Sequence, residues 1–226
     1  MGIVKKVAAR CGHCLKFFFM PAHGLLWQIM MTISEDYGFA KSAADRSCVD
    51  KNGSPVPWYT YPAIEFLSQF CYRGLSVFEY GSGNSTLYWS ERAEHVTSVE
   101  HNPQWFNQMQ RVYTDRGNVS CILQTDSGQY VSSLSQKYDI IVIDANWRDA
   151  CSACALQYIK EGGMIIIDDT ERSLSDPEYQ RALKLLEDDP RFIRVDFSGF
   201  EPLVDYTKTT TVFLTRDFKI PNKEQV

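Results

Sequence analysis

Three aspartates follow two short apolar runs in the second half of the chain. Asp144 ends the run Ile140–Asp144. Asp168 ends the run Met164–Asp168, and Asp169 follows it directly. If both runs are neighbouring parallel strands, their carboxyl ends meet at one crevice, so the three carboxylates are expected to face a shared substrate. Such carboxylates can hold a proton or bind Mg²⁺ or Ca²⁺. Alternatively, they only cap the helix or turn that follows each strand, or Asp144 contacts a cofactor.

A glycine-rich turn stands between an earlier apolar run and a helical pattern. Residues 77–86 read Val-Phe-Glu-Tyr-Gly-Ser-Gly-Asn-Ser-Thr. Gly81 and Gly83 allow a positive φ and a close backbone approach, so a ligand could lie across the turn near the free amides of the helix. A Gly-x-Gly pattern alone is a weak signal, and the alternative is a tight turn that binds nothing.

The next apolar run, Val96–Glu100, ends in a carboxylate. An acidic residue at this place can accept hydrogen bonds from both ribose hydroxyls of an adenosine-containing cofactor. The alternative is an exposed glutamate at a strand end. The glycine turn upstream favours the ribose interpretation of Glu100.

Short apolar runs and amphipathic helical patterns alternate from residue 75 onward, which predicts a Rossmann-like, doubly wound α/β sheet. The predicted parallel strands are Leu75–Tyr80, Val96–Glu100, Val119–Gln124, Ile140–Asp144 and Met164–Asp168. The predicted crossover helices are Ser85–Ala93, Pro103–Arg116, Gly128–Gln136 and Arg148–Lys160.

The two ends of the chain differ from this repeat. After a predicted helix over Pro177–Glu187, the strand-like runs Phe192–Phe197 and Thr209–Thr215 follow each other with no helix between them. They are therefore expected to pair antiparallel. Residues 1–73 predict a mostly helical N-terminal cap, and residues 74–226 the main domain.

Over about Trp58–Arg216, these motifs resemble the class I S-adenosylmethionine-dependent methyltransferases, including a bacterial subgroup with the lead-in Trp-Tyr-Thr-Tyr-Pro-Ala-Ile and the Phe-Glu-Tyr-Gly-Ser-Gly-Asn-Ser-Thr loop. The resemblance implies five parallel strands plus a C-terminal antiparallel hairpin, seven strands in the order 3-2-1-4-5-7-6. It also implies methyl transfer from S-adenosylmethionine to a small-molecule acceptor.

The resemblance further implies a set of cofactor-binding residues. Glu79 would lie near the methionine amino group, Glu100 would hold the ribose, and His101 would flank the adenine. The complete set is Glu79, Gly81, Ser82, Gly83, Asn84, Ser85, Glu100, His101, Asp126, Ser127 and Asp144. Asp126 and Ser127 stand where the family contacts the adenine edge, although Asp126 is equally a helix N-cap.

The carboxylates resemble those of the divalent-cation-dependent catechol and caffeoyl-CoA O-methyltransferases. Asp144 and Asp168 match that family's metal ligands, whereas Asp169 stands in place of an asparagine. The resemblance implies that Asp144 and Asp168 are catalytic, and that Mg²⁺ on all three carboxylates lowers the pKa of an acceptor hydroxyl. The family's lysine after the first aspartate is missing, and Arg148, which follows instead, stays protonated and cannot act as a base.

Five aromatic residues could wall an acceptor pocket, although core and cap packing explains any one of them better. They are Trp58, Tyr59, Tyr61, Trp147 and Phe200. The acceptor candidates are the three adjacent to the motifs, Tyr59, Tyr61 and Trp147.

Composition narrows the possible partners. The net charge of −5 argues against nucleic acid or an anionic membrane as the partner. Seven cysteines and no clear secretion signal predict free thiols and a cytoplasmic protein, and a homodimer is plausible. Cys11-Gly-His13-Cys14 lacks a second ligand pair for zinc. Cys151 and Cys154 are expected to pack in the core.

Three other functions remain open. An NAD-dependent oxidoreductase also uses a Gly-x-Gly loop, but Thr86 in place of a third glycine, Glu79 and the terminal hairpin count against it. An aminopropyltransferase and a non-catalytic scaffold of the same fold are the other two.

Overall fold

The computed structural model describes residues 21–225, whose centre is one seven-stranded sheet. The strand order is β3-β2-β1-β4-β5-β7-β6, with β1 to β5 parallel and β7 antiparallel to both neighbours. This confirms the predicted fold class. The strands are β1 Ser76–Tyr80, β2 His95–Glu100, β3 Val119–Leu123, β4 Tyr138–Ile143, β5 Ile159–Ile167, β6 Phe192–Glu201 and β7 Val204–Thr215.

Helices cover both faces of the sheet and precede it. The α-helices are α1 Pro21–Met31, α2 Phe39–Asp45, α3 Tyr61–Leu67, α4 Asn84–Ser90, α5 Pro103–Tyr113, α6 Ser127–Val131, α7 Arg148–Tyr158 and α8 Pro177–Glu187. A π-helical turn over Thr32–Asp36 continues α1, and short 3₁₀ helices span Thr170–Leu174 and Lys223–Gln225. No helix within residues 21–225 is long and apolar enough to cross a membrane.

The central strands are apolar on both sides because helices cover both faces of the sheet. Alternate residues of β4 separate into two cores, Ile141 and Ile143 on one face and Ile140 and Val142 on the other. The first core also contains Cys151 and the adjoining Cys154, which confirms their predicted packing. All five cysteines in the described range are free.

The C-terminal hairpin is much longer than the sequence pattern indicated. β6 runs on to Glu201 and β7 begins at Val204, so only Pro202 and Leu203 form the turn, with Leu203 at a φ of 69°. The polar alternation of residues 198–208 hid this extension. As a result, the tip of the hairpin reaches back to the carboxyl ends of β4 and β5.

The helix after β3 is shorter than predicted. α6 ends at Val131, whereas the sequence pattern suggested a helix over Gly128–Gln136. The hydroxyls of Ser132 and Ser133 donate to carbonyls of the preceding turn, at 2.8 Å each. Such side-chain bonds compete with helix propagation and explain the early end.

The segment before β1 packs directly on the main sheet. Tyr59, Ala63 and Leu67 share the second core with Val77 of β1. The backbone amide of Thr60 donates to Thr210 Oγ1 at 3.1 Å. The predicted domain boundary between residues 73 and 74 stays a prediction.

Candidate active site

The turn after β1 requires glycine at its first position. Gly81 has a φ of 98°, and its amide donates to the carbonyl of Val99 at 2.9 Å. A Cβ at Gly81 would collide with the backbone carbonyl of Asp144. Gly83 does not need this freedom, since its φ of 173° is ordinary extended backbone and a Cβ there would meet open space. Of the two glycines, only Gly81 uses the positive φ that both residues permit.

A cavity of about 170 Å³ lies over this turn, at the carboxyl ends of β1 and β4. The predicted cofactor residues that line it are Glu79, Gly81, Ser82, Gly83, Asn84, Ser85 and Asp144. Its other walls come from the cap, the helix α5 and the hairpin turn, through Arg46, Ser47, Cys48, Trp58, Trp105 and Leu203. Chain segments distant in sequence thus enclose the glycine turn.

Glu79 is a buried acid at the floor of this cavity. Its side chain is 1% exposed, and neither carboxylate oxygen has a hydrogen-bond partner among the described residues. Burial raises the pKa of Glu79 to about 7; the neighbouring hydroxyls of Thr86 and Ser85 counteract part of this rise, and Asp144 adds to it. A buried carboxylate without a donor is costly unless a ligand supplies one.

Glu100 is buried beside the glycine turn, but its carboxylate is already held. It accepts hydrogen bonds from the backbone amides of His101 and Asn102, at 2.9 and 2.8 Å, and from Ser82 Oγ at 3.1 Å. An ionised carboxylate offers about four acceptor positions, so one remains for a ribose hydroxyl. Glu100 does not line the cavity itself.

Three aromatic rings form a cluster next to Glu100. The ring centroid of His101 lies 6.0 Å from that of Tyr130 and 5.9 Å from that of Trp147. Trp147, predicted as an acceptor contact, thus packs on the predicted adenine side. Its φ of 59° is unusual for a bulky residue and turns the backbone directly before α7.

The remaining predicted cofactor residues have structural partners. Asp126 caps α6, since its side chain accepts from the amide of Gln129 at 2.9 Å, and Ser127 is exposed. Asn84 Nδ2 donates to Ser47 Oγ at 2.9 Å and to the carbonyl of Cys48 at 2.7 Å. Asn84 therefore ties the cap to the glycine turn.

The predicted convergence of the three aspartates is present. Asp144, Asp168 and Asp169, here called the carboxylate cluster, each place one oxygen within 4.8 Å of the others. Asp168 is buried and accepts from Thr210 Oγ1 at 2.6 Å, whereas the side chain of Asp144 is 42% exposed. Burial, followed by Asp144 and Asp169, raises the pKa of Asp168 well above its usual range.

Comparison with known proteins points to one family. A family profile described as a methyltransferase domain matches residues 78–170, the stretch that holds the glycine turn, Glu79, Glu100 and the carboxylate cluster. The sheet has the strand order implied by that resemblance. The chain therefore has a methyltransferase-like fold, and its residues 78–170 are similar to a methyltransferase domain.

Solved structures of other proteins have a similar fold. A cofactor-bound protein named Rv0187 from MTB is 17% identical, with a TM-score of 0.58 over 86% of this chain and 97% of that one. The O-methyltransferase from Bacillus cereus, in complex with SAH, is 16% identical, with a TM-score of 0.54 over 62% of this chain and 74% of that one.

A third similar structure is the O-methyltransferase TomG from Streptomyces achromogenes, described as involved in tomaymycin synthesis and solved with SAM. It is 14% identical, with a TM-score of 0.55 over 66% of this chain and 74% of that one. No curated protein sequence matches this chain.

Basic side chains already pair with the carboxylate cluster. Arg148 Nη2 lies 2.9 Å from Asp144 Oδ1 and 3.9 Å from Asp169 Oδ2. Lys208 Nζ is hydrogen-bonded to Asp169 Oδ1. The carboxylates are close enough to share a cation, but side chains of this chain hold two of them, so in this arrangement the donor set does not fit a divalent metal.

The surroundings of Lys208 keep it charged. Burial alone would lower its pKa, but the hydrogen bond and charge of Asp169 and the charge of Glu201 raise the pKa of Lys208 above its usual value. Arg148 is likewise fixed, because its guanidinium lies 4.5 Å over the ring of Tyr179. Both cations are therefore permanent parts of the site.

Sequence reasoning missed Glu201 and Lys208. Glu201 is 1% exposed, its oxygens have no hydrogen-bond donor in the described range, and Lys208 Nζ lies 3.4 Å away. Burial raises the pKa of Glu201 to about 7, with Lys208 opposing the rise. No motif marks either residue, since only the extended hairpin brings them to the site.

The two predicted acceptor tyrosines do not line the cavity. Tyr59 is fully buried in the second core, and the ring of Tyr61 packs 4.7 Å from that of Tyr37. Their neighbour Trp58, which is exposed, lines the cavity instead. An acceptor role for Tyr59, Tyr61 and Trp147 stays a prediction.

Proposed function

We propose that this protein transfers the methyl group of S-adenosylmethionine to a small-molecule acceptor bound at the mouth of the cavity. The observation that carries the proposal is the unpaired carboxylate of Glu79, buried at the cavity floor directly before the turn that requires Gly81. A ligand with an ammonium group would complete this site, because it supplies the missing charge and donors.

Residues in the cavity and directly beside it offer a group for each part of the cofactor. Glu79 would bind its amino group, the backbone of Gly81 and Ser82 would lie along its methionine part, and Glu100 would accept from a ribose hydroxyl. The His101–Tyr130–Trp147 cluster would flank the adenine. When bound, the cofactor supplies an electrophilic methyl group on a positively charged sulfur.

The acceptor side of the cavity is narrow and mixed in character. Trp58 and Leu203 offer apolar walls, and Asp144 offers a half-exposed carboxylate between them and the glycine turn. Asp144 can hold the proton of an acceptor hydroxyl or amine in line with the methyl group. Asp168 lies behind it, bonded to Thr210, and supports the site rather than facing the acceptor.

Enclosure favours a small acceptor over a macromolecule. The cap contributes Arg46, Ser47 and Cys48 above the cavity, and the hairpin turn contributes Leu203. A polymer would need an open, basic surface, whereas the carboxylate cluster is acidic. A cytoplasmic location, a homodimer and metal assistance stay predictions.

The proposal is tested by following a tritiated methyl group from S-adenosylmethionine into a whole-cell extract. After incubation with the protein, the label is separated into a small-molecule fraction and a macromolecular fraction. We expect label in the small-molecule fraction with wild type and loss of that label with Glu79→Gln. Label in RNA or protein would contradict the acceptor class, and no transfer to any fraction would favour the scaffold function.

A further inference from the structure

Beside the cavity, next to Asp144 in its wall, several carboxylates surround two cations of low exposure. Asp144 and Asp169 flank the guanidinium of Arg148, and Asp169 and Glu201 flank the ammonium of Lys208. The side chains of Arg148 and Lys208 are only 8% and 16% exposed. Paired charges this deep are weakly screened by salt, so they act on one another strongly.

The cations reach the cluster from two different elements. Arg148 is the first residue of α7 and follows Asp144 by one helical turn. Lys208 lies on β7 and bonds to Asp169 across the sheet edge. A divalent ion shared by the three aspartates would have to compete with both cations, because their nitrogen atoms already contact carboxylate oxygens of Asp144 and Asp169.

Asp169 is fixed in the arrangement that favours the cations. Its φ of 61° places it in the left-handed region directly after β5. There one oxygen bonds to Lys208, while the other lies near Arg148 and 3.7 Å from Arg172 Nη1. Three cations therefore surround the carboxylate of Asp169, and their positive charges oppose the binding of a metal ion to it.

We infer that Lys208, with Arg148, permanently takes the place of a divalent cation in the carboxylate cluster, so that this protein uses no metal at that position. Lys208 is then a positioning residue: it holds Asp169 and Glu201 in place beside the cavity. The positioning role of Lys208 rests on the proposed methyl transfer, whereas the absence of a metal from the carboxylate cluster does not.

Mn²⁺ is the probe that tests the inference without any turnover. The free ion gives a six-line electron paramagnetic resonance signal that disappears on binding. We expect wild type to leave the Mn²⁺ signal unchanged. Lys208→Met removes one positive charge, so this variant should reduce the signal at the same concentrations and bind Mn²⁺ at least about tenfold more tightly than wild type. Lys208→Arg, which keeps the charge, should behave as wild type.

Two further variants locate the ion. In the Lys208→Met background, Asp144→Asn should abolish the gain in Mn²⁺ affinity, because it removes a half-exposed ligand of the cluster. A purely structural role of Lys208 would not separate Met from Arg in this way. S-adenosylmethionine binding is measured on the same samples, so failure of the proposed function is distinguishable from failure of this inference.

Wild type that binds Mn²⁺ as tightly as Lys208→Met, and loses it with Asp144→Asn, would overturn the inference. A folded Lys208→Met with no gain in affinity would overturn it too. Far-UV circular dichroism reports whether that variant folds, and Lys208→Gln is the second neutral variant if it does not. The Mn²⁺ titration of wild type tests the inference even if neither neutral variant folds.

Discussion

The two sides of the cavity differ in whether their charged side chains have partners within the protein. On the cofactor side, Glu100 is held by neighbours close in sequence, and Glu79 is left without any hydrogen-bond donor in the described range. On the acceptor side, Asp144 and Asp169 already have cationic partners. The comparison teaches that an unpaired buried charge marks the place of a charged ligand, whereas internally paired charges shape a site.

The largest effect is expected on the cofactor side. Glu79→Gln keeps the size of the side chain but removes the charge that would meet the ammonium group. We expect the affinity for S-adenosylmethionine to fall roughly 100-fold, because the loss of a buried charge pair costs about 2 to 5 kcal/mol. Isothermal titration calorimetry at pH 8 measures this, and an unchanged affinity would remove Glu79 from the site.

The acceptor side should respond through stability instead. Arg148→Met leaves the carboxylates of Asp144 and Asp169 without their guanidinium, and we expect unfolding to become easier by about 2 kcal/mol. This is below the usual cost of breaking a buried pair, since Asp144 is half exposed. Urea denaturation measures the change.

Arg181→Met is the matched control for Arg148→Met. Arg181 pairs with Asp149 at 2.7 Å on the surface, with its own side chain 62% exposed. Surface pairs contribute about 0 to 1 kcal/mol, so this variant should be nearly neutral. Equal losses in the two variants would contradict the distinction between paired buried charges and surface pairs.

The same Glu79→Gln variant should be more stable than wild type at high pH. The pKa of Glu79 is about 7 in the folded protein and 4.5 in the reference state. Because the folded state then binds the proton more tightly, the free energy of unfolding falls as pH rises from about 4.5 to 7. Removing the charge should recover about 2 kcal/mol at pH 8 and almost nothing at pH 4.

Urea denaturation of wild type and Glu79→Gln at the two pH values checks this. Glu91→Gln is the control, because Glu91 is a partly exposed partner of Arg92 and Arg116. This substitution should change the free energy of unfolding little at either pH value. A Glu79→Gln variant that is equally destabilised at both pH values would show that its carboxylate is paired after all.

The smallest effect concerns the link between the cap and the glycine turn. Asn84→Ala removes the two hydrogen bonds to Ser47 and Cys48, and we expect a loss of about 1 kcal/mol. Hydrogen exchange of residues 47–49 should become faster while that of β4 stays unchanged. Unchanged exchange in both segments would mean that the cap is held by its other contacts.

The cofactor side could be predicted from the sequence because its residues are close together along the chain. Strand, glycine turn and strand-end acid fall within residues 75–100, and the resemblance supplied the sheet order, which the structure confirms. The sequence did not distinguish the two glycines, and only Gly81 approaches another backbone segment closely.

The acceptor side could be predicted only in part, for physical reasons. The convergence of three aspartates follows from parallel strands, but their partner Lys208 is 39 positions from Asp169 and reaches it only through a longer hairpin. Tyr59 and Tyr61 are next to a cavity residue in sequence, yet packing turns them into the core or against Tyr37. The orientation of such side chains and the length of the hairpin depend on long-range contacts, which a local sequence pattern does not predict.

Calorimetric titration of wild type with S-adenosylmethionine and, separately, with NAD tests the central claim most directly. We predict binding of S-adenosylmethionine in the micromolar range, strongly weakened in Glu79→Gln and in Glu100→Ala, and no binding of NAD. Binding of NAD in preference, or of neither ligand, would contradict the account.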